Sequence, residues 1–522
     1  MKQFLPFFFL LSSFITLSAQ SFTRSELPTD VNTPWEMLYG PDGYLWLTEA
    51  GGIVSRVNSE TGARNYVYTA PDFFEGSPLE QLPICFTPDI GAGTLGMDLD
   101  PNFMTEEDAY IYYVYSYNSG TENEPATKFK IVRLDWDWIS ESVTGSTDLV
   151  TGISTGYDHL GGRLKAISRN GQSYLFLTVG DHGISETNSP DCYEPQSLNP
   201  NNQAQNPNTD NGKVHRFNMD GSIPNDNPIP GNSFYTRGHR NPQGLMYIPD
   251  SDMLFDVEHG DRTDDEINLL QAGMNYGWKW VRGYHADNNY PGEAAYIAEY
   301  VPNSLIAGDR LVEAFYSWCA VPQPTSEEYL EWCTPAPSDG IYYNAPGIPE
   351  WSNSLLVVSL KNGSNTDNQV HVFKLTPGDN QLVPSTVQIE NPTTAFGADQ
   401  ALNGRLRDIT YSADGKKIFL INNGGEGISD KITVYTVLTT NINEANDNTS
   451  IQFVPNPGIE MIQIQSPSVI MDLEIYSMTG IHMRSEKGPL TQIEIANLPA
   501  GTYLAKMGTS TGLQITKLFT KL

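Results

Sequence analysis

Positive charge is what this sequence has least of. Thirty Lys and Arg stand against 62 Asp and Glu, a formal net charge of −32. That balance excludes a nucleic-acid binder or a polybasic membrane-surface protein, since both need clustered cations. Past the first 19 residues no apolar run is long enough to cross a bilayer. Long stretches of helical period are also missing. No G-x-G-x-x-G sits on a strand–turn–helix unit and no G-x-x-x-x-G-K-[ST] occurs, so neither a dinucleotide fold nor a phosphate loop is expected. Cysteine is sparse, at 4 in 522 residues.

What is present begins with an export signal. Lys2, an apolar run over residues 4–17 and the small pair Ser18-Ala19 have the form of a signal peptide over residues 1–19. In an exported chain four cysteines read as two disulfides, and proximity pairs Cys319 with Cys333, leaving Cys85 with Cys192. Gly 45, Pro 35 and aromatics at 11% point to many short strands and turns.

One unit recurs six times: an apolar patch, a polar turn with Asp or Gly, then an apolar strand. Its copies lie at residues 37–47, 97–115, 164–179, 245–257, 348–360 and 409–421. A further strand follows each, with an alternation (Val214-His215-Arg216-Phe217, Val370-His371-Val372-Phe373) expected of strands with one wet face. Six such repeats predict an all-β chain, a six-bladed β-propeller over residues 20–438. A pair of sandwiches is the rival all-β arrangement. Insertions at residues 73–94, 185–211 and 284–346 are expected to build one binding face. After Leu438 the composition shifts. Residues 439–450 read as a polar linker, and 451–522 as a small C-terminal β-sandwich of short strands.

Residues 238–278 concentrate the chemistry. A cationic loop, Gly238-His239-Arg240-Asn241-Pro242-Gln243-Gly244, leads into a strand, and the acidic turn Glu258-His259-Gly260-Asp261-Arg262-Thr263-Asp264-Asp265-Glu266 follows. A guanidinium beside clustered carboxylates suits an anionic ligand held together with a hard cation such as Ca2+. On spacing alone a solvated hairpin loop remains the alternative.

The blocks GHRNPQGL, EHG, DDEINLL and NYGW, in that order, resemble the soluble quinoprotein glucose dehydrogenase family (glucose/sorbosone dehydrogenase type) over residues 34–437. The resemblance implies a six-bladed propeller that binds pyrroloquinoline quinone (PQQ) and Ca2+ and oxidises an aldose at its anomeric carbon. It implies His159, in the Asp158-His159 block, as general base, oriented by Asp181 of Thr178-Val179-Gly180-Asp181. Asp158, Arg240, Asn241, Lys361, Arg405 and Arg407 are implied at the cofactor, with Arg240 also stabilising charge at the quinone. Tyr329 and Trp332 are implied beneath the substrate. Backbone carbonyls of Gly260 and Asp261 are implied as Ca2+ ligands. Glu266 and Tyr276 mark a second Ca2+ site, and the turn around Tyr284 a third. There the family's carboxylate falls on Ala286, with Asp287 as the substitute.

One departure is Gly91, which stands where the family has a Gln that touches substrate and cofactor. It favours the alternative of a catalytically inactive sugar- or protein-binding propeller at the cell surface. A hydrolase or lyase using the acidic loops is a further rival. The C-terminal segment resembles the type A sorting domain of the type IX secretion system, which implies a secreted or cell-surface protein. Expected partners are an aldose, an external electron acceptor and that secretion machinery. Nucleic acid is not expected, and a homodimer is left open.

Overall fold

Turn chemistry sets the strand pairs. In Gly40-Pro41-Asp42-Gly43, Gly43 adopts φ 81°, and a Cβ on Gly40 would lie 2.4 Å from Asp42 Oδ1. Asp42 accepts from the Tyr44 amide (3.2 Å), Trp46 Nε1 (3.2 Å) and Arg56 Nε (3.0 Å), which ties the turn to both strands that follow.

The chain's structure is a computed structural model. It describes residues 21–76, 92–105, 109–122, 125–156, 158–182, 202–322, 332–361, 369–377, 387–424, 428–438, 451–466, 468–477, 482–510 and 514–522. The chain divides into two units, Met1–Val437 and Leu438–Leu522.

The first unit holds six four-stranded antiparallel sheets. Their leading strands are Glu36–Tyr39, Thr94–Leu99, Gly161–Arg169, Asn241–Ile248, Pro337–Tyr343 and Leu406–Tyr411. Each leading strand contacts the leading strand of the next sheet, and the sixth contacts the first, so the leading strands form a closed ring. Phe22–Glu26 pairs with Lys431–Val437 and supplies the outer strand of the sixth sheet, fastening the two ends of the ring.

Six apolar layers lie between successive sheets. Trp46 and Val54 meet Met97 and Tyr113; Tyr112 and Phe129 meet Leu164 and Leu177; Phe176 and Val214 meet Leu245 and Leu254. Phe255 and Ile267 meet Leu355 and Phe373; Leu356 and Val370 meet Ile409 and Leu420; Phe419 and Ile421 meet Leu45 and Leu47. Successive residues of one strand, such as Tyr112 and Tyr113 or Leu355 and Leu356, serve opposite layers, as a two-residue repeat demands. This corrects the expectation of one wet face. In Lys213–Asn218 both faces are covered, and His215 and Arg216 are buried with Val214 and Phe217. Sheets stacked face to face around a ring leave water only the outer strands and the two rims.

Of the three insertions, residues 77–91 and 183–201 lie outside the described residues, as do Cys85, Gly91, Cys192 and Tyr329. The third, 284–346, is not wholly an insertion: it supplies the short helix Glu293–Glu299, the outer strand Tyr316–Trp318 of the fourth sheet and the leading strand Pro337–Tyr343 of the fifth. Cys319 and Cys333 are joined, with Cα atoms 5.8 Å apart. No described helix is long and apolar enough to cross a membrane.

The second unit has a three-stranded sheet (Gln452–Val454, Met461–Gln465, Gln492–Glu494) and a four-stranded one (His482–Leu490, Ile470–Ser477, Gly501–Thr509, Gln514–Lys521). Both contribute to one apolar core, with Ile462, Ile464 and Ile493 against Leu473, Ile475 and Met507.

Candidate active site

A leading strand and its antiparallel partner bring the start of one and the end of the other to the same rim of the ring. A cavity of about 610 Å³ opens there. From the starts of leading strands come Trp35, His159, Gly161, Asn241, Ala336, Arg405 and Arg407; from the ends of second strands come His259, Gly260, Asp261 and Lys361. Asp158, Arg240, Asp265 and Trp332 also line it. The cavity therefore gathers four cations, Arg240, Lys361, Arg405 and Arg407, from a chain that carries few.

His159 is 5% exposed and holds φ 49°, a left-handed conformation uncommon outside glycine. Such backbone persists where the surroundings over-determine it, and functional sites are where it collects. Its Nδ1 lies 2.7 Å from Asp181 Oδ1. Asp181 accepts on Oδ2 from Trp278 Nε1 (2.7 Å) and Asn202 Nδ2 (2.8 Å). Nδ1 thus carries the proton, and Nε2 is the basic nitrogen. Burial and the Arg240 guanidinium oppose an imidazolium, but the charges of Asp158 and Asp181 and the hydrogen bond to Asp181 outweigh them. His159 titrates above the ordinary histidine range. Asp158 is exposed; its Oδ1 accepts from the His159 amide (2.7 Å) and its Oδ2 lies 3.7 Å from Nε2.

The cations are held in different ways. Lys361 Nζ donates to the carbonyls of Thr334 (2.9 Å) and Trp332. The Arg240 amide donates to Glu258 Oε2 (2.8 Å), and its Nη1 to the His259 carbonyl (3.3 Å). Arg405 Nη1 reaches the Asn423 carbonyl at 3.3 Å. Arg407 packs on Trp35, Cζ 4.5 Å from the ring, and its Nε is buried with no hydrogen-bond partner among the described residues. Burial, then the charges of Arg163 and Arg405, push its pKa well below the usual value. A buried cation in that state fits an anionic ligand. Asn241 Oδ1 accepts from Gln243 Nε2 (2.7 Å) and faces the Gly161 amide (3.4 Å).

The expected metal residues fall in two groups. Gly260 and Asp261 line the cavity. The Asp261 carboxylate is paired with Arg282 (3.0 Å), and the Gly260 amide donates to Asp265 Oδ1 (2.8 Å). Glu266, Tyr276 and Tyr284 do not line it. Glu266 Oε1 accepts the Gly283 amide (2.6 Å), which sets it beside the turn that carries Tyr284. Burial and then Glu258 raise its pKa well above the carboxylate range. Nearby Asp264, pushed up to about 6 chiefly by burial and further by the charge of Asp287, has a buried Oδ2 without a partner among the described residues, and so has Asp287. The Tyr276 hydroxyl donates to the Leu269 carbonyl (2.5 Å), and its ring stacks on His239 at 4.9 Å.

Sequence reading gave no role to several residues of the site. Trp35 lines the cavity. His259, which burial and the charges of Arg240, His159 and Arg407 push down to about 3, donates Nε2–H to the Pro337 carbonyl (3.0 Å). Asp265, pushed up to about 7 by burial, joins Gly260 to Ala336, whose amide it accepts at 2.7 Å. His259 and Asp265 sit inside the blocks EHG and DDEINLL, so the signal was present as a motif without a function.

Residues 31–430 match the family model described as Glucose / Sorbosone dehydrogenase, and residues 452–521 match Secretion system C-terminal sorting domain. The chain is 30% identical over 447 residues to Quinoprotein glucose dehydrogenase B of Acinetobacter calcoaceticus, covering 78% of this chain and 87% of that protein. It is 27% identical over 364 residues to Aldose sugar dehydrogenase YliI of Escherichia coli, covering 67% and 81%. The PQQ-bound aldose sugar dehydrogenase of Streptomyces coelicolor superposes with a TM-score of 0.53 at 22% identity, over 80% of this chain and 99% of that one. The apo-form of the soluble aldose sugar dehydrogenase of Escherichia coli gives 0.56 at 22% identity, over the same shares. These superpositions establish the likeness of fold.

Proposed function

The chain belongs to the glucose/sorbosone dehydrogenase family, and from that premise we propose that it is an exported, PQQ- and Ca2+-dependent aldose dehydrogenase. Its six sheets are read as six blades, and its C-terminal unit as a β-sandwich that addresses the protein to type IX secretion. The observation that carries this reading is the lining of one cavity by His159 together with Arg240, Lys361, Arg405 and Arg407.

His159 Nε2 takes the proton of the anomeric hydroxyl. Asp181 keeps Nδ1–H in place and stabilises the imidazolium that forms, as a carboxylate does for a catalytic histidine elsewhere. Trp332 would form a floor for the sugar ring. Lys361, Arg405 and Arg407 would hold the anionic carboxylates of PQQ, and Arg240 with Asn241 would stabilise the charge that its quinone gains. When bound, PQQ with Ca2+ on the Gly260 and Asp261 carbonyls supplies the hydride acceptor that no side chain can provide. The sugar leaves as a lactone, and an external acceptor removes the electrons.

The test is reconstitution of the apoprotein with PQQ and Ca2+, followed by a panel of aldoses and a reducible dye. Sugar-dependent dye reduction that requires both additions is the expected result. A protein that binds sugar yet reduces no dye would instead be a binding propeller.

A further inference from the structure

We infer that Asn202 and Trp278 are positioning residues that brace the outer oxygen of Asp181 and so aim its inner oxygen at His159. The inference rests on the reading of His159 as the base. Asp181 is 1% exposed, and its main chain is fixed by donation of its amide to the Arg240 carbonyl (2.7 Å). Oδ1 faces His159. Oδ2 takes two neutral donors from separate parts of the chain, Trp278 Nε1 and Asn202 Nδ2.

Those two parts are themselves tied together. Gln205 Nε2 donates to the Trp278 carbonyl (2.6 Å) and to Asn275 Oδ1 (2.8 Å), and Asn275 Nδ2 donates back to Gln205 Oε1 (2.8 Å). Buried Lys213 holds the same loop by donating to the Ala204 carbonyl at 3.0 Å. The Trp278 ring also lies 5.7 Å from the Arg240 guanidinium, so one side chain touches both the orienting carboxylate and a cavity cation.

Donors on Oδ2 spread the carboxylate's charge away from the imidazole. Removing one leaves a buried lone pair unsatisfied, and the proton on His159 is then held more tightly. Asp158, Asp181, Arg240, His182 and His259 are charged or titratable groups that act on or against this imidazole; Asn202→Ala changes a partner of Asp181 alone, and Trp278→Phe keeps an aromatic ring beside Arg240.

The test is an NMR titration of His159 in the full-length apoprotein with labelled histidine imidazoles, the signal being assigned by its loss in His159→Gln. Trp278→Phe keeps the ring and deletes the N–H. It is expected to move the His159 midpoint to higher pH by about one unit. Asn202→Ala, at a half-buried position, is expected to move it the same way and serves if the Phe variant does not fold. In the reconstituted enzyme the acid limb of kcat/KM follows the same shift while PQQ affinity stays at the wild-type value. Titration midpoints unchanged from wild type in the variants that fold would overturn the brace. Failure of the base assignment reads out separately, as turnover surviving in His159→Ala.

Discussion

Two arginines pack on the same tryptophan and meet opposite fates. Arg163 Cζ lies 4.1 Å from the Trp35 ring, and Arg407 Cζ 4.5 Å from it. Arg163 is wholly buried and closed by protein, with Glu36 Oε2 at 2.6 Å, Asp408 Oδ2 at 3.2 Å and Asp339 Oδ2 at 3.4 Å. Burial works against its charge, but Asp339, Glu36 and Asp408 outweigh it and hold it more firmly protonated. Arg407 is 7% exposed, has like-charged Arg163 and Arg405 as strong influences, and keeps a buried Nε without a partner among the described residues. One guanidinium is closed by carboxylates beside it; the other is opposed by burial and by like charges more than Asp408 and Asp339 support it, and on the proposed reading the cofactor supplies the rest of its counter-charge. Residue type and burial alone do not separate structure from site. The origin of the counter-charge does.

The contrast breaks most visibly in stability. Arg163→Met takes from three buried carboxylates their nearest cation, with only Lys165 left at 3.7 Å from Glu36, and is expected to cost about 3–5 kcal/mol in urea unfolding. Arg407→Met removes a buried charge that Asp408 and Asp339 support less than burial, Arg163 and Arg405 oppose it, so the apoprotein is expected to be as stable as wild type or more so. Equal losses in the two variants would erase the distinction.

His159 lines the cavity, with Nδ1 held by Asp181 and Nε2 3.7 Å from Asp158 Oδ2. His159→Ala is expected to lower turnover by roughly 10²–10⁴-fold while PQQ binding persists, measured by dye reduction and by PQQ titration. In the proposed role of base, His159 acts when neutral. Because its folded-state pKa is raised, kcat/KM is expected to fall as pH drops through a midpoint above the ordinary histidine value, and to plateau at higher pH. A midpoint below that value would mean that Asp158 and Asp181 do not outweigh burial. The smallest effect expected is on Lys361, which already has carbonyl partners. Lys361→Met is expected to weaken PQQ binding by about tenfold, less than Arg407→Met does.

Five of the six turn-centred units read in the sequence cover the first two strands of a sheet, because those strands carry both the Asp/Gly turns and unbroken apolar runs; the unit at 348–360 covers only the second strand of the fifth sheet, whose leading strand Pro337–Tyr343 lies inside the stretch 284–346 read as an insertion. Outer strands such as Arg64–Thr69 and Ser142–Ile153 were not legible. They are polar and half-exposed, so no periodicity marks them. Nor was Phe22–Glu26, where Thr23 meets Thr436 across 413 residues, a pairing set by closure of the ring. At the site, cations stood out because the chain has so few. Trp278, Asn202 and Trp35 did not, since a tryptophan or an asparagine acquires its role only from what folding brings against it.

The most direct measurement is calorimetric titration of PQQ, in the presence of Ca2+, into the wild-type apoprotein and into Arg407→Met. Stoichiometric binding by the wild type and an affinity lowered about 100-fold or more in a fully folded variant is the predicted outcome. Undiminished affinity in the variant would show that the counter-charge of Arg407 is not the cofactor.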